Sequence, residues 1–316
     1  MKYTRGGRAA RVVLFRIRMF SGMLLCVLPG IFCLCGAVTG TEAASQQKAV
    51  CTVEALRTRI AEEGVILHGA GELTDTEGSP ALRTNSVEAL THCLEEGSHF
   101  IELDLKSTAD GKLVCLHGWS RWLDAQGVEG QESHTLEEFL AGSIVGGFTP
   151  MSMDEAAQLL RAYPDVYVIV DMKDSSKEED YQLLAESCPD LMGRLIVQIY
   201  HASQYETLRD MGYSNIIYTL YKTMEEERTP EELREFCDSH LIVGIALKRK
   251  WAADEAYFEA LRQLNIPLYV HTLDDPEKIR RLYERGAAAV YTNHFFSRED
   301  IAAALQESLT QEETSS

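Results

Sequence analysis

The sequence predicts an α/β fold, and within that class a single closed (β/α)8 barrel. Short apolar runs alternate with amphipathic helical stretches along most of the chain, a rhythm typical of parallel strands joined by crossover helices. About eight such units fit into roughly 250 residues, which favours a closed barrel over an open doubly wound sheet. Ionisable residues recur at the ends of the predicted strands, where enzymes of this architecture place their chemistry.

The predicted elements follow one another without a linker or an internal repeat. Asn85 or Ser86 caps the first predicted helix, and the turn Asp110-Gly111 separates the second strand from the extended run after it. The predicted strands are Val65–His68, Phe100–Lys106, Lys112–His117, Val166–Met172, Leu195–Tyr200, Asn215–Thr219, Ile242–Ala246, Pro267–Thr272 and Ala288–Thr292. The predicted helices are Ser86–Glu96, Thr135–Leu140, Ser152–Ala162, one starting at Lys177, Ala202–Met211, Pro230–Ser239, Asp254–Leu264, Pro276–Arg285 and Arg298–Leu309.

The charge of the chain is strongly negative and unevenly spread. It has 49 acidic and 30 basic residues, a formal net charge of −19. Six basic residues and a single acidic one fall within the first 45 positions, so the remainder is more acidic than the whole chain. Such a body lacks the basic footprint that nucleic-acid binding needs, and no nucleic-acid partner is expected. If it handles phosphate, its site must supply positive charge locally, and a metal ion is the obvious source.

The N-terminal segment has the pattern of a targeting signal. An uncharged apolar run, Met19–Val38, follows the basic residues, as in a signal peptide, and about 20 apolar residues can also span a bilayer. We therefore expect residues 1–45 to be a signal peptide or an N-terminal membrane anchor. Residues 46–316 are then an exported catalytic domain, extracellular or held at the membrane through that segment if it is uncleaved. The cysteines of this domain show no metal-binding spacing and no pattern of a disulfide scaffold.

The candidate site residues lie at the ends of predicted strands. Glu102 and Asp104 are two apart on the second strand and share one face, and Asp171 and Lys173 repeat that spacing later in the chain. Three neighbouring carboxylates repel one another unless a cation lies among them, and oxygen ligands suit Ca²⁺ or Mg²⁺. The histidines that end further runs are His68, His117 and His271. Two histidines beside a metal can act as acid and base in a displacement at phosphorus, while a lysine neutralises a phosphate oxygen.

These residues also carry a family resemblance. Three segments form its first part: HGAG at 68–71, TNSVEAL at 84–90 and IELDLKSTADGKLVCLHGW at 101–119. They resemble the hallmarks of the glycerophosphodiester phosphodiesterase family, an HRG-like motif, ENT, and E-x-D followed by TxDG and a terminal His. Three later segments resemble its E-x-K, Gln-containing and W-T-V-N-D motifs: DMK at 171–173, VQI at 197–199 and HTLDD at 271–275. The resemblance extends over residues 65–293, and the E-x-D block is its most specific part.

The resemblance implies a barrel of the PI-PLC-like phosphodiesterase type that holds one divalent metal, Ca²⁺ or Mg²⁺. The metal ligands that it implies are Glu102, Asp104 and Asp171. In the family's mechanism, water or a hydroxyl next to the phosphate attacks phosphorus while one His accepts a proton and the other protonates the leaving alkoxide. By analogy His117 is the acid and His68 the base, although these roles can be exchanged. The residues expected to contact the substrate are Lys173, Asn85, Gln198, His271 and Trp119.

Four positions depart from the family's pattern. Gly69 stands where the family usually has Arg, and Thr84 where it has Glu. Because both charges are lost together, we expect the net charge of the site to be kept and the chain to represent a distinct subfamily. Asp171 has a shorter side chain than the usual Glu, and Asn293 replaces an Asp of the closing strand. These departures leave both histidines and the carboxylate ligands in place, but they leave the substrate open.

The expected function is metal-dependent hydrolysis of a glycerophosphodiester, or of a related phospholipid head group, to an alcohol and glycerol phosphate. Two alternatives stay open at this stage. One is a lyase-type phospholipase D or C that acts on a membrane lipid and leaves a cyclic phosphate. The other is a non-catalytic barrel that binds a phosphorylated glycan or a lipid head group. The presence of both His68 and His117 argues against a binding module, which has no need of an acid–base pair.

Overall fold

The computed structural model describes residues 51–297 and 300–301. The predicted N-terminal segment 1–45 lies outside the described residues, as does nearly all of the predicted helix Arg298–Leu309. The strands are β1 (Val65–Leu67), β2 (Glu72–Thr74), β3 (Pro80–Leu82), β4 (Phe100–Ser107), β5 (Leu113–Cys115), β6 (Tyr167–Met172), β7 (Leu195–Ile199), β8 (Asn215–Thr219), β9 (Gly244–Lys248), β10 (Leu268–His271) and β11 (Ala289–Thr292).

Eight parallel strands close into a barrel. Their order around the ring is β1-β11-β10-β9-β8-β7-β6-β4, and β4 pairs again with β1. Val65 pairs with Val290 and Leu67 with Ile101, which closes the ring through the first strand. β5 runs antiparallel to the end of β4, with Leu105 opposite Cys115. The predicted (β/α)8 barrel is confirmed.

The helices lie around this ring and across its amino-terminal end. They are α1 (Val53–Glu63), α2 (Val87–Glu95), α3 (Trp119–Ala125), α4 (Leu136–Ala141), α5 (Met153–Arg161), α6 (Glu178–Ser187), α7 (Gln204–Asp210), α8 (Pro230–Ser239), α9 (Arg249–Ala252), α10 (Glu255–Arg262) and α11 (Pro276–Glu284). The N-cap of α2 is Ser86, whose hydroxyl accepts the Ala89 N–H at 3.2 Å. Asn85 is therefore not the cap and is free for another role. In the described part of the chain, no helix combines the length and the apolarity that a membrane crossing needs.

Several elements were not predicted from the sequence. The hairpin of β2 and β3 has only three residues in each strand, too few to show a periodicity. α3 follows His117 directly, where the sequence predicts only the end of an extended run. The predicted strand Ile242–Ala246 is displaced along the chain. Val243 donates its N–H to the carbonyl of Ile216 at 2.7 Å, and the strand then continues to Lys248.

Helix α1, also not predicted, closes the amino-terminal end of the barrel. Its three buried side chains, Val53, Leu56 and Ile60, follow the i, i+3, i+7 spacing of one helix face. They pack against the first residues of the strands, Phe100 of β4 and Tyr167 of β6 among them. The barrel interior at this end is therefore sealed by apolar contacts, and the opposite end alone is left for polar chemistry.

The cysteines that the structure describes are all unpaired. They are Cys51, Cys93, Cys115, Cys188 and Cys237. Burial raises the pKa of the Cys93 and Cys115 thiols, so both behave as small apolar core residues.

The seal formed by α1 predicts a stability effect. Leu56 is fully buried, so Leu56→Ala should lower the free energy of unfolding by about 2–5 kcal/mol through lost burial and an unfilled cavity. Thr58→Ala, on the exposed face of the same helix, should change it by less than about 1 kcal/mol. Chemical denaturation of the two variants measures both values. Equal effects at the two positions would show that α1 does not seal the barrel.

Candidate active site

Three buried carboxylates meet at the carboxyl end of the barrel. Glu102 and Asp104 lie on β4, and Asp171 lies on β6 directly opposite Asp104 in the strand register. Their side chains are 2%, 0% and 4% exposed. One oxygen of each lies within 4.8 Å of the others. The structure thus brings together the three residues that the sequence singles out as metal ligands.

Glu102 is held by the backbone that follows β1. The Gly69 N–H donates to its Oε2 at 2.6 Å. Gly69 adopts a left-handed conformation with a φ of 58°, which glycine tolerates best. Burial, reinforced by the negative charge of Asp104, raises the pKa of Glu102 well above its usual range. In the absence of a cation this carboxylate is therefore electrostatically strained.

Asn85 holds Asp104 through two hydrogen bonds. The Asn85 side-chain amide donates to Oδ2 of Asp104 at 2.8 Å, and the Asp104 N–H donates to the Asn85 carbonyl oxygen at 3.0 Å. Asn85 has a φ of 54°, an uncommon conformation outside glycine that points its amide at β4 rather than at α2. The structure therefore places Asn85 at the site, where it orients a carboxylate.

Asp171 is surrounded by donors. Lys173 donates to its Oδ2 at 2.6 Å and also pairs with Asp104. The Tyr221 hydroxyl donates to Oδ2 at 2.7 Å, and the Tyr200 hydroxyl donates to Oδ1. Burial alone would raise the pKa of Asp171, but Lys173 and these hydroxyls outweigh it and lower the pKa to about 2. Asp104 and Asp171 in turn raise the pKa of Lys173 despite its burial.

Tyr200 and Tyr221 were missed by sequence reasoning. Both follow the last residues of strands, Tyr200 after β7 and Tyr221 just after β8. The strand-end position that singles out the carboxylates and histidines is therefore also a signal for the tyrosines.

The two histidines flank the carboxylates and are both neutral at neutral pH. His68 follows β1, and its Nδ1 is in hydrogen-bond contact with the Thr272 hydroxyl at 2.8 Å. Burial lowers the pKa of His68 to about 3, although the charge of Asp104 opposes the shift. His117 stands at the exposed mouth, after β5. Lost hydration and the charge of Lys173 lower its pKa.

His271 and Gln198 lie next to this set. The His271 ring meets those of His68 and Tyr221 edge-on, with centroids 6.3 Å and 4.9 Å apart. Burial lowers the pKa of His271 to about 4. Its Nε2 is buried and has no hydrogen-bond partner among the described residues. Gln198 is also buried, and its carbonyl oxygen accepts the Thr219 hydroxyl at 2.7 Å, so its side chain braces two neighbouring strands.

Trp119 and Asn293 are engaged elsewhere. Trp119 is 3% exposed and packs in an apolar cluster against Trp122 and Phe139, each with a centroid separation of 5.8 Å. Trp119 is among the residues expected to contact the substrate, and in the structure its ring is covered by that cluster. The Asn293 side-chain amide donates to Asp274 at 2.6 Å, which holds the loop after β11.

The residues of this cluster fit a hard divalent cation. The potential ligands are all carboxylate oxygens, which suit Ca²⁺ or Mg²⁺ better than softer metals. Asp104 Oδ1 is buried, and its partner among the described residues is the ammonium of Lys173. The raised pKa of Glu102 shows that one positive side chain does not balance three buried negative charges.

The strain at Glu102 predicts a stabilising substitution. In the presence of a chelator at pH 7.5, Glu102→Gln should raise the Tm by several degrees, because the amide oxygen can still accept the Gly69 N–H while the repelled charge is gone. Glu102 has a raised pKa, so its charge destabilises the fold at neutral pH, and the gain should shrink near pH about 4, where the unfolded carboxyl is also protonated.

The matched control is Glu137→Gln on the exposed face of α4, for which no change in Tm is expected. Calorimetry of the three proteins with a chelator gives the comparison. A lower Tm for Glu102→Gln than for the parent protein would mean that the carboxylates do not strain the metal-free site.

Comparison with known proteins extends this description. Residues 77–295, most of the chain, match the Glycerophosphoryl diester phosphodiesterase family. The matched range contains Glu102, Asp104, His117 and Asp171, and it begins after His68. No curated protein matches the chain in sequence.

Several solved structures share the fold. A glycerophosphodiester phosphodiesterase from Parabacteroides distasonis has a TM-score of 0.59 and 17% identity, covering 78% of this chain and 99% of that one. The enzyme from Thermotoga maritima has a TM-score of 0.54 and 19% identity, with 77% and 97% covered. A phosphodiesterase from Oleispira antarctica, solved with the product sn-glycerol-3-phosphate, has a TM-score of 0.56 and 16% identity, with 77% and 96% covered.

The extent of the family match, together with a barrel that carries the carboxylates and His117 at its carboxyl end, settles the classification. The chain belongs to the glycerophosphoryl diester phosphodiesterase family and is a phosphoric diester hydrolase.

Proposed function

We propose that the protein is a metal-dependent hydrolase that cleaves a glycerophosphodiester to an alcohol and glycerol phosphate, with two histidines as acid and base. The observation that carries the proposal is the set of three buried carboxylates, within 4.8 Å of one another, with His68 and His117 beside them. The Oleispira antarctica phosphodiesterase, which binds sn-glycerol-3-phosphate, supports a glycerol-based substrate for a chain of the same family.

Glu102, Asp104 and Asp171 would hold the divalent cation, either Ca²⁺ or Mg²⁺. When bound, the cation would polarise the phosphate and offset the charge of the attacking oxygen. Asn85 and the Gly69 N–H keep two of the carboxylates in place for it. The chain thus supplies a preformed set of oxygen ligands.

Lys173 would bind a non-bridging oxygen of the phosphate as a point charge. Its ammonium already lies between Asp104 and Asp171, and its raised pKa keeps it protonated throughout the physiological range. It therefore remains cationic whatever the protonation state of the histidines beside it.

His68 would act as the general base. Its lowered pKa keeps the imidazole neutral at neutral pH. In the tautomer whose Nδ1–H donates to the Thr272 hydroxyl, Nε2 can accept a proton. The proton comes from water, or from a glycerol hydroxyl next to the phosphate, as its oxygen attacks phosphorus.

His117 would protonate the leaving alkoxide as the bond from phosphorus to that oxygen breaks. It stands at the open mouth, after β5, where a leaving alcohol has room to depart. The anionic phosphate beside it favours the imidazolium form and opposes the lowered pKa of the free protein.

Metal dependence is the first test of this mechanism. Activity on glycerophosphocholine, measured as choline release, should need Ca²⁺ or Mg²⁺ and vanish in a chelator. Asp104→Asn should abolish metal binding in calorimetric titration nearly as completely, because one of three carboxylate ligands loses its charge. Asp210→Asn, at the exposed end of α7, should leave binding and activity unchanged. Full activity of the chelated protein would refute the proposal.

The acid and the base can be separated by the leaving group. A general acid matters most for a poor leaving group, so His117→Ala should cost about 10²-fold or more on a glycerol-type diester and much less on a nitrophenyl diester. His68→Ala should damage both substrates alike. Rescue of His68→Ala by the nitrophenyl diester, without rescue of His117→Ala, would reverse the two roles. Phosphorus NMR on the glycerol diester separates hydrolysis from a lyase reaction, which accumulates a cyclic phosphate.

We also propose that the catalytic domain works outside the cytoplasm. The support is the basic segment followed by the uncharged run Met19–Val38, the arrangement of an export signal. If the domain stays anchored, protease added to intact cells should degrade it. If the N-terminal segment is cleaved, the domain should be found in the medium. Protection of the domain until lysis would contradict export.

A further inference from the structure

A pocket beside His117 contains two arginines that the mechanism above does not use. Arg83 follows β3, at the end of the hairpin, and Arg121 lies on α3. Both line a small pocket that His117 and Thr84 also line. The pocket therefore adjoins the histidine assigned to the leaving group.

Neither arginine has a carboxylate in direct contact among the described residues. No described carboxylate forms an ion pair with either side chain. The Nε of Arg83 is buried and has no hydrogen-bond partner among the described residues. Arg121 donates from Nη2 to the carbonyl of Leu82 at 2.6 Å, a neutral acceptor. Two half-buried guanidinium groups that line one pocket repel each other, and the charge of Asp104 offsets this only in part. The pocket has a volume of about 10 Å³, so an anion that relieves the repulsion would bind at its mouth.

The two charges act on each other and on the histidines. Burial lowers the pKa of Arg121, and the nearby charge of Arg83 lowers it further. Arg83 contributes to the lowered pKa of His68, and Arg121 contributes to that of His117. The pair is thus part of the electrostatics of the site rather than of the remote surface.

Gly69 makes room for Arg83. A Cβ at position 69 would lie 2.6 Å from the Cβ of Arg83 and 2.8 Å from its Cα, closer than packed carbon atoms approach. Positions 69 and 84 lack the charged pair that the family usually has there. Arg83 places a positive charge beside Gly69.

The charge balance indicates what the pair is for. The three carboxylates, Lys173 and one divalent cation together sum to zero. A phosphodiester brings one negative charge, whereas Arg83 and Arg121 bring two positive ones. Adding the diester and the two arginines therefore leaves one positive charge uncompensated on the leaving-group side of the site. This local excess contrasts with the net charge of the whole chain, −19.

We infer that Arg83 and Arg121 form a second anion subsite that binds a phosphate group on the leaving alcohol, so that the preferred substrates are diesters with a phosphorylated leaving group. The inference rests on the proposed function, since it takes the leaving alcohol to depart beside His117. Guanidinium groups suit this ligand because each can donate two parallel hydrogen bonds to a phosphate.

A matched pair of substrates tests the inference. Glycerophosphoinositol and glycerophosphoinositol 4-phosphate differ only by a phosphate on the leaving alcohol. The parent protein should show a kcat/KM about tenfold or more higher for the phosphorylated diester. Arg83→Gln and Arg121→Gln should each bring the ratio towards one, whereas Arg83→Lys should keep part of the preference.

Controls separate this effect from a general loss of charge or of folding. Lys222→Gln removes a cation after β8, on the opposite side of the ring from β1, and should leave the ratio unchanged. Arg83→Gln keeps the Cβ and Cγ atoms that pack on Gly69, so its Tm should match that of the parent protein. If either arginine variant unfolds, the other still reports on the ratio.

The outcomes distinguish the inference from the proposed function. Equal rates of the parent protein on the two diesters would overturn the subsite. An equal loss on both diesters in the arginine variants would also overturn it, and would show that the pair binds the scissile phosphate. Binding of myo-inositol 4-phosphate to the chelated protein, measured by calorimetry, should weaken about tenfold or more in Arg83→Gln. If neither diester is cleaved while this binding persists, the proposed reaction fails and the anion site stands. Binding that does not depend on Arg83 overturns the site itself.

Discussion

The repulsion among three buried carboxylates is the constraint on which the rest of this site depends. Parallel pairing of β4 with β6 places Asp104 and Asp171 side by side, and the two-residue period of β4 adds Glu102 on the same face. Backbone pairing, which is cooperative across the barrel, thus forces together charges that would separate in a flexible chain. The surrounding residues reduce that repulsion through hydrogen bonds and one positive charge.

Each carboxylate accepts hydrogen bonds from a different kind of donor. Glu102 receives a backbone N–H from Gly69, Asp104 receives the amide of Asn85, and Asp171 receives hydroxyls and an ammonium. The outcome differs between two of the carboxylates: burial and the charge of Asp104 raise the pKa of Glu102 despite its donor, whereas Lys173 and the hydroxyls lower the pKa of Asp171 despite its burial. A cation bound here would therefore relieve Glu102 most. A divalent cation at this site would then stabilise the fold in addition to taking part in the proposed reaction.

The sequence predicts the barrel and most of this cluster because both follow from short periodicities. Glu102, Asp104 and Asp171 are recognisable as polar residues at alternate positions of apolar strands. Arg83 is not recognisable in this way, since its place beside Gly69 depends on the path of a hairpin with three-residue strands. Helix α1 was missed because its three apolar residues stand among eight that are polar or small, and its partners come from strands far along the chain. Trp119 was assigned to the substrate from its position after His117, but the turn into α3 covers its ring.

The closure of the ring also constrains when the protein can fold. β1 pairs with β11, so Val65 finds its partner Val290 only after nearly the whole described chain is available. Contacts this distant in sequence form late and slow the folding of a chain. A chain still being synthesised cannot close its barrel while its last strand is missing. The pairing of β1 with β11 therefore keeps the ring open until almost all of the described residues have been made.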